Sequence, residues 1–114
     1  MGDFERVPEI PSLANGMINS ELAFAYPNAL HVIEVCTQKL IAVLGVEIFQ
    51  VVGAGFQTRG CSDYVLLETG WAEFVVANNQ LAEQVVTEHP VGDDQLYIFT
   101  AVSRAEFANL NNKT

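Results

Sequence analysis

Basic residues are scarce in this chain: five Lys and Arg stand against fourteen Asp and Glu, a formal net charge of −9 over 114 residues. That balance argues against a nucleic-acid or anionic-membrane partner, because phosphate recognition needs clustered Lys and Arg. Long hydrophobic runs are missing as well. The longest, Leu40 to Val46 with Gly45 inside it, falls far short of the roughly 20 residues a bilayer-spanning helix requires. Met1 to Pro11 has no basic region followed by an apolar stretch, so no signal peptide is expected. Arg6 stands where a myristoylation signal wants Ser or Thr. Cysteine is limited to Cys36, in a predicted helix core, and Cys61, in a predicted polar loop. Two free thiols in a reducing compartment follow, and with them cytoplasmic residence.

The signatures of catalysis and cofactor binding are thin. Gly53-Ala54-Gly55 follows a predicted strand, but no third glycine opens a helix and no P-loop Lys is present. Gly92-Asp93-Asp94 reads as a turn, with too few carboxylates for a calcium loop. His31 and Glu34 are three apart on a predicted helix, yet zinc needs a third protein ligand, and His89 is the only other histidine. Cys61, Ser62 and Asp63 sit together without a base at defined spacing, and there is no Gly-x-Ser-x-Gly elbow. The expectation is a protein that is not an enzyme, with no catalytic residues, cofactor or metal.

What is there is a folded domain. Half of the chain is hydrophobic, with seven Phe, three Tyr and one Trp, and the acidic residues are spread between periodic apolar segments. A disordered acidic tail has neither property. A length of 114 residues allows one core and two layers. Residues 1–114 are therefore expected as a single domain, with 1–18 an irregular lead-in punctuated by Pro8, Pro11 and Gly16 and 19–108 the folded core.

Along that core, Asn19 or Ser20 is placed to cap a short helix through Tyr26, and Pro27 to begin another as its first residue. Ala29, Leu30, Ile33, Cys36, Thr37 and Leu40 form its apolar stripe. Glu47 to Val52 reads as a strand, with Gly45 at a bend. Residues 57–63 read as loop and 63–68 as a second strand. Thr69 would cap a helix whose face is Trp71, Phe74, Val75, Asn78, Leu81, Ala82 and Val85, ended by Pro90 and Gly92. Gln95 to Val102 alternates between two apolar faces, as an interior strand does. Ser103-Arg104-Ala105-Glu106 is a capping box for a last helix. The predicted fold class is α+β: a small mixed or antiparallel sheet of three or more strands, covered by two main amphipathic helices.

One set of segments resembles a known family. Asn15-Gly16-Met17-Ile18-Asn19-Ser20-Glu21-Leu22-Ala23, then Ala29-Leu30 with Ile33-Glu34, then Ile41-Ala42-Val43-Leu44-Gly45-Val46-Glu47-Ile48-Phe49 are similar to the immunity proteins of bacterial polymorphic-toxin systems, immunity protein family 40. Trp71-Ala72-Glu73-Phe74-Val75 resembles the start of that family's later helix, and Leu96-Tyr97-Ile98-Phe99 its last long strand. Val46 replaces the family's second Gly of the strand motif, and Glu47 its Asp. The resemblance implies a small cytoplasmic protein that binds and neutralises a cognate bacterial toxin.

An acidic inhibitor suits a basic toxin, because complementary charge speeds encounter. The contact residues expected are Glu47, Glu68, Trp71 and Glu73. Trp71 has a competing reading as a core-rim residue, since large aromatics at helix starts usually are. The alternative function is a homodimeric structural or adaptor domain in a protein complex. An enzyme or small-ligand protein is the third, and would need a pocket gathering Cys61, His89 or His31.

Overall fold

In the computed structural model, which describes residues 3–52, 55–62, 70–88 and 95–111, helices alternate with antiparallel strands. The order is α1 (Asp3–Arg6), α2 (Glu9–Leu13), β1 (Gly16–Ile18), β2 (Glu21–Ala23), α3 (Asn28–Gln38), β3 (Ala42–Val52), β4 (Gly55–Ser62), α4 (Trp71–Glu88), β5 (Gln95–Val102) and α5 (Arg104–Asn111). Among the described residues β4, β3 and β5 form one antiparallel sheet with β3 central, and β1 pairs with β2 in a hairpin.

That hairpin stands where a helix from Asn19 to Tyr26 was expected. Asn19 and Ser20 both take positive φ, 51° and 69°, which is the two-residue turn whose twist matches paired strands. Asn tolerates this backbone because its short polar side chain meets little steric resistance there. Tertiary pairing then overrides local helix propensity. Phe24, just beyond β2, donates its N–H to the Tyr97 carbonyl at 2.9 Å and accepts the Tyr97 N–H at 2.7 Å. So β5 is flanked by β3 on one edge and by this rung on the other, interior at that point.

The irregular lead-in expected over 1–18 is also corrected. It holds the one-turn helices α1 and α2 and strand β1, because Phe4 and Ile10 have a core to enter. Phe4 meets Phe24 edge-on, with ring centroids 6.3 Å apart. Pro27 is the N-cap of α3, not its first helical residue, and Ala29 N–H reaches back to the Ala25 carbonyl. The α3 stripe is buried at Ala29, Ile33 and Cys36 and is joined by Val32 and Val35. Leu40 lies beyond the helix and is exposed.

The expected bend at Gly45 is a break in the β3–β5 register between Val43 and Gly45, with Leu44 the extra residue. Residues 57–62 are strand, not loop. β4 pairs with β3 from Val52↔Gly55 to Val46↔Ser62, with a second irregularity that skips Arg59. Backbone pairing is indifferent to the polarity that made this segment read as loop, and polar side chains are usual on a sheet's outer strands. The strand expected over 63–68, the Thr69 cap, and the Pro90 and Gly92 stop lie outside the described residues.

One face of the sheet carries Val43, Val46, Ile48, Tyr97 and Phe99, which pack in a single cluster with α1, α2, α3 and Ala82 and Val86 of α4. The other face carries Phe49 and Ile98, covered by Ile18 and Ala23 of the hairpin. The α4 face is buried at Phe74, Val75, Asn78 and Ala82 and extends to Asn79 and Val86, while Trp71, Leu81 and Val85 are half-buried. The capping box at α5 is formed: Ser103 N–H donates to Glu106 Oε1 at 2.9 Å, and Glu106 N–H to Ser103 Oγ at 3.3 Å. No helix among the described residues is long and apolar enough to cross a membrane.

Candidate protein-interaction surface

The start of α4 is fastened to the end of α3 through an unusual cap. Leu40 has φ 56°, the left-handed conformation glycine ordinarily supplies after a helix. Its N–H donates to the Thr37 carbonyl at 3.2 Å, and Ile41 N–H donates to the Cys36 carbonyl at 2.8 Å, the two reversed bonds of a Schellman ending. The Leu40 carbonyl is left to accept Trp71 Nε1–H at 2.8 Å. The indole stacks on Phe74 at 5.2 Å and lies 5.6 Å from Phe107. Trp71 is thus a half-buried rim residue of a satellite core that also holds Ala42 and Val75.

A second link, deeper in, is Asn79. Its Oδ1 accepts Val43 N–H at 2.8 Å, and its Nδ2 donates to the Ile41 carbonyl at 3.0 Å and to Thr37 Oγ1 at 2.9 Å. In an extended strand, residue 41's C=O and residue 43's N–H point to the same edge. Among the described residues β4 reaches β3 only as far as Val46, so the Asn79 amide takes the place of a missing ladder rung. This buried amide positions α4 against the beginning of β3 and against Thr37 of α3.

With its inner face so committed, α4 presents Ala72, Glu73, Val76, Gln80 and Glu83 outward, all exposed. Val76 is 45 % exposed and Leu40 49 %, two of the large apolar side chains left uncovered. Three depressions run along this face. One, of about 590 Å³, lies at the corner where Lys39, Leu40, Trp71 and Glu73 meet Asp3 and the start of α5 at Arg104. A shallower one, of about 410 Å³, follows α4 from Ala72 and Glu73 to Gln80. The third, again about 590 Å³, is a groove between α3 and α4 lined by Leu30, Glu34, Thr37, Gln38, Val76, Asn79, Gln80 and Glu83. Neighbouring depressions share lining residues, so they form one trough. From Trp71 to Glu83 its length is roughly 18 Å at 1.5 Å per helical residue.

The four expected contact residues fare differently. Trp71 and Glu73 line the corner depression together. The Glu73 carboxylate folds back over the start of the helix, where a Cβ on Gly70 would come within 2.6 Å of Oε2, a favourable place for negative charge. Glu47 is half-buried on β3, cross-strand from Ile98. By strand alternation it faces away from α3 and α4, so it does not share the trough. Glu68 lies outside the described residues, as does His89. Cys61 belongs to β4 rather than to a loop. Cys36 is enclosed in the core, and burial pushes its thiol from 9.0 up to about 12, which suppresses the reactive thiolate. His31 and Glu34 are both exposed on α3, and among the described residues no three His, Cys, Asp or Glu side chains gather as a metal site.

Sequence reasoning missed the groove itself. On α3 the sequence placed Leu30 and Thr37 in the apolar stripe and Glu34 and Gln38 on the other side, and on α4 it left 76, 79, 80 and 83 out of the apolar face. Their meeting across two helices was not visible. Compared with known proteins, the chain matches no protein-family model and no curated protein sequence.

Proposed function

We propose that this chain is a non-catalytic, cytoplasmic immunity-type protein that binds and neutralises a cognate bacterial toxin. Its scaffold is the antiparallel sheet, three-stranded among the described residues, with α3 and α4 as its two main covering helices. The observation that carries the reading is the outer face of α4 with its groove against α3, apolar at Leu30 and Val76 and edged by Glu34, Glu73 and Glu83, while Lys39 and Arg104 stand with Leu40 and Trp71 at the corner beyond it. Apolar anchors ringed by polar groups are where binding energy concentrates in protein interfaces. A carboxylate rim on a chain of net charge −9 favours a basic partner and speeds its approach. The resemblance of the segments 15–23, 29–30 with 33–34, 41–49, 71–75 and 96–99 to immunity protein family 40 points to the same class of partner.

The test is direct. Toxins encoded beside this chain's gene are purified and mixed with it at 1:1. Loss of toxin activity on mixing is expected, with an association rate that falls steeply between low and high salt as charge steering is screened. If the neighbouring toxins keep full activity in its presence, the reading is wrong.

A further inference from the structure

We infer that the α3–α4 groove receives a basic amphipathic helix of the partner, its apolar side chains on Leu30 and Val76 and its Lys or Arg side chains against Glu34 and Glu83. This rests on the toxin-binding reading above and names the chemistry that its groove end would recognise.

The geometry supplies the shape. On α4 the groove is lined at positions 76, 79, 80 and 83 and on α3 at 30, 34, 37 and 38, so a ridge at helical spacing flanks it on each helix for about two turns, some 10 Å. A hollow between two helix ridges is the surface onto which a third helix packs, contacting it through side chains at i, i+3 or i+4 and i+7. The depression of about 590 Å³ has room for several side chains.

Charge then selects the occupant. Among the described residues no Lys, Arg or His lines the groove, while Glu34 and Glu83 stand exposed, one on each helix. The Asn79 amide at the base is already committed to Thr37, Ile41 and Val43, which leaves the carboxylates as the charged groups a guest must answer. Docking strips water from them, and a carboxylate desolvated without a cation is heavily penalised. A second copy of this chain seated through the same face would set acid against acid, because a two-fold contact uses one patch twice. A basic helix relieves both carboxylates and covers Val76.

The probe is a fluorescent peptide of about 18 residues, built of Leu and Lys in an amphipathic helical pattern, with a Leu/Glu peptide of the same pattern as its counterpart. Anisotropy titrations use the full chain, the double variant Glu34→Lys/Glu83→Lys, the variant Val76→Asp, and a charge-matched control, Glu9→Lys/Glu21→Lys, at exposed positions outside the groove. Circular dichroism first establishes that each is folded. The Leu/Lys peptide should bind 1:1 and the Leu/Glu peptide should not. The groove variants should weaken binding about tenfold or more, and the charge-matched control less than about twofold, since distant exposed charges are screened. Equal weakening by the two double variants would overturn the proposal, as would no saturable binding by the unmodified chain. Toxin neutralisation separates the two claims. Groove variants that neutralise a toxin as well as the unmodified chain discard the groove and keep the function, whereas an unmodified chain that neutralises nothing discards the function.

Discussion

Replacing Asn79 tests whether one side-chain amide serves as a rung of the sheet. Asn79 is 2 % exposed, and the residues it serves on β3 and just before it, Val43 and Ile41, are 2 % and 4 % exposed. In Asn79→Leu the branched heavy-atom shape is kept and no cavity opens, but the Val43 N–H and the Ile41 carbonyl both lose their side-chain partner. Each buried polar group left unmade costs about 1–3 kcal/mol, giving about 2–6 kcal/mol in all. Thr37 suffers less, since its hydroxyl keeps its own donation to the Ile33 carbonyl at 2.9 Å. Against a total stability of about 5–15 kcal/mol for a domain of this kind, the loss is large. Asn79→Asp refines the argument. It retains an acceptor for Val43 N–H but turns a second oxygen toward the Ile41 carbonyl, so the neutral acid is the form the site accepts. Its carboxyl would be raised on folding, so the variant should be closest to the native stability at acid pH and lose ground as pH rises. Urea unfolding followed by circular dichroism measures both, with the exposed neighbour Gln80→Leu as reference. An Asn79→Leu variant within about 0.5 kcal/mol of the unmodified chain, the usual scatter of surface substitutions, would refute the rung.

Other expectations concern the termini of helices and the buried thiol. Ser103→Ala removes the acceptor for Glu106 N–H and the hydroxyl that donates to Asp3 Oδ2 at 2.5 Å, and should lower stability by about 1–2 kcal/mol in the same urea assay. Cys36 should resist iodoacetamide at pH 8 under native conditions and react once the chain is unfolded, as mass spectrometry of the Cys36 peptide will show. Its stabilising contribution is complete below pH 9.0 and should fade as pH rises toward about 12, because the unfolded chain releases that proton first. The difference in urea midpoint between the unmodified chain and Cys36→Ala, followed from pH 8 upward, reads this out.

Periodicity made the long elements legible. The stripe centred on Ile33 and Cys36, the face of Phe74, Val75, Asn78 and Ala82, and the alternation of Gln95 to Val102 all describe elements that bury one or both faces, and burial is what the pattern records. The Ser103–Glu106 box was readable because its chemistry is local. The misreadings have other causes. The Asn19–Ser20 turn and the helices α1 and α2 owe their form to Tyr97 and the Phe24 core, which a window of neighbouring residues does not contain. Strand β4 instead pairs with the adjacent β3 and was hidden by its polar sequence, which lacks the apolar alternation a strand usually shows. The end of α3 was blurred because Leu40 occupies a position where glycine would have announced the stop. At the candidate surface, the adjacency of Trp71 and Glu73 could be read from one helix. Asn79 stood outside the predicted apolar face and Glu34 was read only beside His31, and it is the packing of α3 on α4 that makes one a structural rung and the other a groove wall.

The contact between Asp3 and the last helix bears on the order in which the molecule assembles. Asp3 N–H donates to Glu106 Oε2 at 3.2 Å, so the carboxylate that caps α5 also holds the first residue of α1, 103 positions away in sequence. Closing so wide a loop is entropically costly until the intervening sheet has brought its ends together. The two short helices therefore complete each other only after the sheet exists, and each loses a partner when the other frays. The expectation is that they open as one cooperative unit, ahead of the sheet. The hydrogen-bonded amides of Asp3, Ser103, Glu106 and Phe107 should exchange with deuterium at a common rate, well ahead of β3 and β5, and a single substitution at Glu106 should speed all four.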